Sequence, residues 1–169
     1  MALTYTYMDA IGKGFPGVGC YCTTDASVYE NIIWQDGLPL PSKADLDAWI
    51  AADIKADMWD AIKAERDRRK NDGGYKVGAN WYHSDTSSRI QQLGLVMMGA
   101  NLPANLYWKT MGGGFVVMTQ TLALQIFQTA AASDMAIFTV AEQKKAAMLA
   151  SADPATYDCL SGWPLIYGE

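Results

Sequence analysis

The sequence predicts an α+β fold in which long amphipathic helices alternate with short antiparallel β-hairpins. Three observations carry this prediction. Apolar residues recur every four positions from residue 46 to residue 62, which is a helical period. Glycine-containing turns at 78–80 and 112–114 separate short strand-forming runs. Ser84-Asp85-Thr86 follows the first hairpin and Thr119 follows the second, and each can cap a helix. We therefore expect three main helices and strands that pair locally, without βαβ crossovers.

Residues 1–41 are expected to form a small mixed α/β segment. Residues 8–12 fit a short helix, and residues 18–23 and 28–34 fit a strand pair. The run Asp36–Pro41 contains two prolines, which favour an extended connection at its end. Of the three cysteines, Cys20 and Cys22 share one face of a strand. They are expected to be free thiols, because zinc sites use longer spacings and a second ligand pair.

Residues 42–152 are expected to form a helix–hairpin–helix–hairpin–helix domain. Ser42 and Asp45 resemble a capping box at the start of the first helix. Without a breaker before Gly73, that helix runs to nearly 30 residues, or ~45 Å. Its apolar stripe packs either into the core of the chain or against copies of itself. The members of the stripe are Leu46, Trp49, Ile50, Ile54, Met58, Trp59 and Ile62.

The later elements repeat one local pattern. A hairpin at 75–83 leads into a helix over 87–98, and a hairpin at 106–118 leads into a helix from 120 to about 150. Ser133-Asp134, in the middle of the last helix, is a candidate break. The tail over 153–169 is unusually apolar, which predicts that it docks on another surface.

Composition and charge exclude several classes of function. Only 18% of the 169 residues are charged, below the usual quarter, so the chain either has a large core or covers surface with partners. The net charge of −5 argues against duplex binding, which needs a basic face. No stretch approaches the ~20 apolar residues of a membrane helix, and the N-terminus does not have the pattern of a secretory signal. We expect neither nucleic acid nor membrane as a partner.

The sequence contains no convincing catalytic set, and we predict no catalytic residue, cofactor or metal. The glycines at 112–114 have no lysine and hydroxyl residue after them, as a phosphate-binding loop would require. The sole histidine, His83, is interpreted as an ordinary strand residue. Asp53, Asp57 and Asp60 can share one helix face, which is more typical of a solvated surface than of a cation site.

Four runs of sequence are distinctive in combination. They are residues 58–69 (MWDAIKAERDRR), 81–92 (WYHSDTSSRIQQ), 105–111 (NLYWKTM) and 141–146 (AEQKKA). Together they resemble the DUF4376 family over about residues 57–149. Domains of this family are similar to modules of tailed-phage and prophage proteins, commonly encoded near tail-fibre genes. The first ~55 residues resemble the leading segment of other phage tail proteins. The family carries no known chemistry, so the resemblance transfers no catalytic residue.

The resemblance implies a structural, non-catalytic phage tail protein at the tail tip, the baseplate or the tail-fibre attachment. Such a protein acts by protein–protein binding, is assembled in the host cytoplasm and resides in the virion tail. The alternative is a tail-fibre assembly chaperone that leaves before the virion is complete. Self-association is also expected, with a trimer about the long helices first and a dimer second. The candidate interface consists of Leu46, Trp49, Ile50, Ile54, Met58, Trp59, Ile62, Trp163 and Ile166.

Overall fold

The computed structural model describes residues 4–35 and 40–169 and confirms the α+β class. Within these residues four α-helices form: α1 (Tyr7–Gly14), α2 (Lys43–Asp72), α3 (Thr86–Met98) and α4 (Gln120–Ala150). Three antiparallel strand pairs form as well: β1 (Cys20–Cys22) with β2 (Ile32–Trp34), β3 (Tyr75–Val77) with β4 (Asn80–Tyr82), and β5 (Tyr107–Lys109) with β6 (Phe115–Val117). Every sheet is therefore a local hairpin or strand pair, as predicted.

The chain divides into two compact units. The first contains residues 1–61 and 146–158, and the second contains residues 62–145 and 159–169. These units differ from the three segments expected along the sequence, because α2 and α4 each contribute residues to both. Of the connection predicted at Asp36–Pro41, residues 36–39 lie outside the described part of the chain.

The first unit is built around α1, the β1–β2 pair and the start of α2. Its core consists of Tyr7, Ala10, Ile11, Ile32 and Leu46. Both helices begin with a reciprocal cap made by neighbouring side chains. The Thr6 hydroxyl accepts from the Asp9 amide and the Asp9 carboxylate accepts from the Thr6 amide. At α2, the Ser42 amide donates to the Asp45 carboxylate at 3.0 Å and the Asp45 amide donates to the Ser42 hydroxyl at 3.2 Å. The predicted capping box at residue 42 is thus confirmed.

The second unit has its own core, made by two hairpins and two helices. Tyr75 and Tyr82 lie opposite each other across β3 and β4, and both are buried. They pack with Leu95, Met118, Ala123 and Ile126. The α3 and α4 helices also begin at predicted caps. The Asp85 carboxylate accepts from the Ser88 amide at 3.0 Å, and the Thr119 hydroxyl accepts from the Leu122 amide at 3.1 Å.

The α4 helix runs without interruption through Ser133-Asp134, so the candidate break there is wrong. The reason is a tertiary contact. A short polar side chain disrupts a helix by competing for nearby backbone groups. The carboxylate of Asp134 instead accepts two hydrogen bonds from the Arg89 guanidinium, at 2.6 and 3.0 Å. The side chain is satisfied by another helix and does not compete with the backbone of α4.

Candidate protein-binding surface

The structure buries five of the nine candidate interface residues within one chain: Leu46, Met58, Ile62, Trp163 and Ile166. The other four, Trp49, Ile50, Ile54 and Trp59, are half-buried. These five buried positions belong to the interior of the single chain, so they are not free surface for a partner. The apolar stripe predicted on the first long helix is real, but most of it faces the chain's own residues.

In the first unit, the stripe serves the core. Leu46 is fully buried, and Trp49 and Ile50 pack against the same cluster. A Cβ atom added at Gly14 would meet the Trp49 indole at 2.3 Å, so the end of α1 lies directly on that ring. Ile54 lines a cavity of about 260 Å³ together with Lys55 and residues 151–155. These contacts assign the first half of the stripe to packing.

In the second unit, the apolar tail docks on the last turns of α2. The Trp163 indole donates to the Cys159 carbonyl at 2.8 Å and lies beneath the charged ends of Arg69 and Lys144. The Tyr167 amide donates to the Gly73 carbonyl at 2.8 Å. The docking expected for an apolar tail therefore takes place on its own chain.

The tail is also held by a buried arginine. Arg69 donates to the Pro164 carbonyl at 2.8 Å and makes a two-pronged ion pair with Glu169. It also donates to Glu65 at 2.6 Å, and Arg68 makes a second, two-pronged pair with that carboxylate. The hydrogen bond from Arg68, with that from Arg69, lowers the pKa of Glu65 below its ordinary value. The hydrogen bond from Arg69 lowers the pKa of Glu169 in the same way.

A large exposed apolar surface lies elsewhere in the second unit, on α3 and α4. We call it the α3–α4 face. Its large side chains are 40–79% exposed: Ile90, Leu93, Met97, Leu124, Phe127, Met135 and Phe138. Ala131 is exposed among them. The two helices line one groove of about 330 Å³, to which Ile90, Leu93, Phe127 and Ala131 contribute. The two helices therefore share a groove with apolar side chains on both sides, and each helix exposes further large apolar side chains.

The helical period explains why this surface exists. The buried side of α4 carries Ala123, Ile126, Ile137 and Ala141. With 3.6 residues per turn, Leu124, Phe127, Ala131, Met135 and Phe138 fall on a second stripe, roughly a quarter-turn away from the buried one. The apolar sector of α4 is thus wider than the side that packs into the core. The excess is exposed to solvent in the single chain.

Two arginines beside the α3–α4 face are paired within the chain. Arg89 and Asp134 form an ion pair at 2.6 Å in the wall of the groove. The Arg66 guanidinium lies 4.9 Å from the Phe138 ring centre and pairs with Asp67 at 2.8 Å, and the Lys70 ammonium lies 5.9 Å from the same ring centre. Because both arginines are already paired, the face is better suited to an apolar partner than to an anion.

The β5–β6 hairpin presents a smaller exposed apolar surface. Trp108 and Val116 lie opposite each other and pack against the core of the second unit. Because side chains alternate along a strand, the residues on either side of them point outward. Tyr107 and Val117 form one exposed pair and Lys109 and Phe115 the other.

In the described part of the chain, no group of three histidine, cysteine or acidic side chains is placed to hold a metal. Asp53 pairs with Lys13 at 3.3 Å, and Asp57 accepts a hydrogen bond from the Tyr5 hydroxyl, which raises the pKa of Tyr5. Among residues 4–35 and 40–169, no helix is both long and apolar enough to span a bilayer.

A family model described as a domain of unknown function, DUF4376, matches residues 53–159, more than half of the chain. The chain belongs to the DUF4376 family. No curated protein and no solved structure matches it. The DUF4376 match contains the whole of α3 and α4 and the β5–β6 hairpin. Both exposed apolar surfaces therefore lie within the family domain.

Proposed function

We propose that this DUF4376 protein is a non-catalytic component of a phage tail, at the tip, the baseplate or the fibre attachment, and acts by binding other tail or fibre proteins. The α3–α4 face carries the binding part of this proposal. Its seven large side chains expose roughly 700 Å², if a fully exposed one offers ~180 Å². The largest apolar patch of a typical monomer covers ~300–600 Å², and larger ones usually mark binding sites.

The phage context rests on the sequence resemblance of the four runs at 58–69, 81–92, 105–111 and 141–146. Two of these runs contribute to the candidate binding surfaces. The second run contains Arg89, whose ion pair with Asp134 joins α3 to α4 in the wall of the groove. The third run forms β5, one strand of the second exposed surface. The family motifs therefore include residues that build both candidate binding surfaces.

The second candidate is a tail-fibre assembly chaperone that binds fibre protein and then leaves. The observation that favours it is the exposure of the α3–α4 face in the isolated chain. A protein that covers an apolar fibre surface only during assembly needs such a face in its free form. Both candidates act by binding, and they differ in whether the chain remains in the particle.

Quantitative mass spectrometry of purified particles separates these two roles. A tail component gives peptides in a fixed ratio to the other tail proteins after density-gradient purification. A chaperone is present in the lysate and absent from the particles. Complementation with Met135→Lys then tests the surface, with Leu165→Lys as the matched control, because both side chains are more than 70% exposed. We expect only Met135→Lys to lower the yield of infectious particles, and equal yields would contradict a role for the α3–α4 face.

A further inference from the structure

The exposed stripe of α4 is regularly spaced about a central alanine. Its members are spaced by three, four, four and three residues: Leu124, Phe127, Ala131, Met135 and Phe138. The spacing is the same in both directions from Ala131. The next positions outward in the same pattern are Gln120 and Glu142, each eleven residues from Ala131 and both exposed. The stripe is therefore palindromic in spacing, with a small residue at its centre.

A palindromic stripe matches itself when two copies of the helix run antiparallel. A two-fold axis at Ala131 places each Ala131 against its own copy. The same axis places Phe127 against Met135 of the second copy, and Leu124 against Phe138. Small side chains at the crossing point permit close approach, and sulfur–aromatic contact between methionine and phenylalanine is favourable.

The ends of the stripe are complementary as well. The same axis brings the Gln120 amide of one chain to the Glu142 carboxylate of the other, so that an amide donor meets an anionic acceptor. No pair of like charges is opposed along the stripe between residues 120 and 142. An apolar centre with polar ends is the usual anatomy of a protein interface.

The exposed area is sufficient for a stable pair. Ile90 and Leu93 of α3 flank the α4 stripe across the shared groove, and Met97 is exposed on the same helix. Two copies of a face that exposes roughly 700 Å² bury up to about 1,400 Å² in total, within the ~1,200–2,000 Å² of specific interfaces.

We propose that the α3–α4 face is a two-fold interface, across which α4 packs antiparallel to α4 of a second copy with Ala131 at the axis. This inference rests on the proposed protein-binding role and identifies one partner as the chain itself. It favours a dimer about α4 over the trimer expected first about the long helices, because an isologous two-fold contact closes at two copies. The exposed β5–β6 surface is not used by this contact.

Light scattering on the full chain at tens of micromolar tests the stoichiometry. We expect about twice the chain mass of 18.4 kDa. Met135→Lys should restore the monomer mass, because two buried ammonium groups would lie beside Phe127 of the opposite copies. Leu165→Lys should leave the dimer intact. A wild-type monomer, a trimer, or a dimer that survives Met135→Lys would each overturn the proposal. The circular dichroism spectrum of Met135→Lys should equal that of the wild type, which would show that the variant is folded and that the loss of mass reports on assembly.

Site-directed cross-linking tests the two-fold geometry. The background carries alanine at the three native cysteines, Cys20, Cys22 and Cys159, which are free thiols in the structure. With a short bismaleimide, Ala131→Cys should cross-link to itself. Phe127→Cys and Met135→Cys should each cross-link poorly alone and efficiently when the two variants are mixed. Efficient self-linking of both single variants would show parallel helices and overturn the antiparallel arrangement, as would failure of the mixed pair in a dimeric sample.

The two proposals fail in different experiments. A monomeric chain that is still found at fixed stoichiometry in particles contradicts the dimer and leaves the tail role intact. A dimer that is absent from both particles and fibre-assembly intermediates contradicts the tail role and leaves the α4 interface intact.

Discussion

Arg69 offers the sharpest test of how the second unit is held together. Its side chain is 6% exposed, and it binds the Glu65 carboxylate, the Pro164 carbonyl and the Glu169 carboxylate. Replacing it with methionine keeps much of the aliphatic volume and removes every one of these hydrogen bonds. The partner that loses most is Glu65, whose side chain is 9% exposed.

The cost can be bounded from the contacts. Breaking a buried ion pair by removing one partner typically costs ~3–5 kcal/mol, because a buried charge is left uncompensated. Glu65 keeps its two hydrogen bonds from Arg68, both at 2.7 Å, so the residual charge remains partly compensated. We therefore expect Arg69→Met to destabilise the fold by about 2–3 kcal/mol, at or below the lower end of that range. The tail should also undock, because its Pro164 and Glu169 contacts depend on Arg69.

The neighbouring residue supplies a matched control. Arg68 carries the same charge on the same turn of α2, but its side chain is 47% exposed and its ion pair is with Glu65. An exposed ion pair contributes ~0–1 kcal/mol, so Arg68→Met should cost at most that amount. Urea denaturation gives both free energies of unfolding. Hydrogen exchange of residues 160–169 reports tail docking directly, and only Arg69→Met should accelerate it.

Equal losses of stability in the two variants would refute this reasoning. If Arg69→Met and Arg68→Met cost the same and tail exchange is unchanged in both, the arginine does not hold the tail. The docking would then be due to the burial of Trp163 and Ile166 and to the backbone hydrogen bond from Tyr167 to Gly73.

Three further predictions concern the backbone, pH and chemistry. Gly73→Ala should lower the free energy of unfolding by about 1–3 kcal/mol, because its Cβ would meet the Arg69 carbonyl at 2.2 Å and Ile166 at 2.5 Å. Gly94→Ala is the control, because a Cβ at this position of α3 meets nothing within 4 Å, and it should raise the free energy of unfolding by about 0.5–1 kcal/mol. Thermal unfolding measures both. Because the folded state lowers the pKa of Glu65 and Glu169, their contribution is present above the ordinary carboxyl pKa and is lost as the pH falls through the lowered values. The protection of tail amides, which is their exchange rate relative to the intrinsic rate at each pH, should therefore stay constant from neutral pH to pH 6 and fall only in acid. A loss of protection between neutral pH and pH 6 would contradict this account. Wild-type protein and the triple alanine variant at Asp53, Asp57 and Asp60 should both leave host cell wall intact, and hydrolysis by wild type that the variant abolishes would identify an enzyme.

Local rules in the sequence determined where the elements begin and end. Ser42 with Asp45, Asp85 and Thr119 each cap a helix through hydrogen bonds to residues within three positions. The hairpins formed where glycine-containing turns separated two short strand-forming runs. Such contacts involve neighbours along the chain, so the sequence contains all the information that they need. The family motifs were also readable directly, and the family match over residues 53–159 confirms them.

Only the tertiary structure decided what covers each apolar face. Helical periodicity grouped Leu46, Met58 and Ile62 on one side of α2, but core and interface stripes have the same period. The structure buries these residues within the chain and leaves Leu124, Phe127 and Met135 of α4 exposed. The spacing of the α4 stripe was present in the sequence, yet nothing there distinguished it from the neighbouring buried stripe. Helical periodicity predicts which side chains share a face, whereas their burial depends on residues distant in sequence. Arg89 is an example of such a distant residue, because it pairs with Asp134 in a helix that was expected to break.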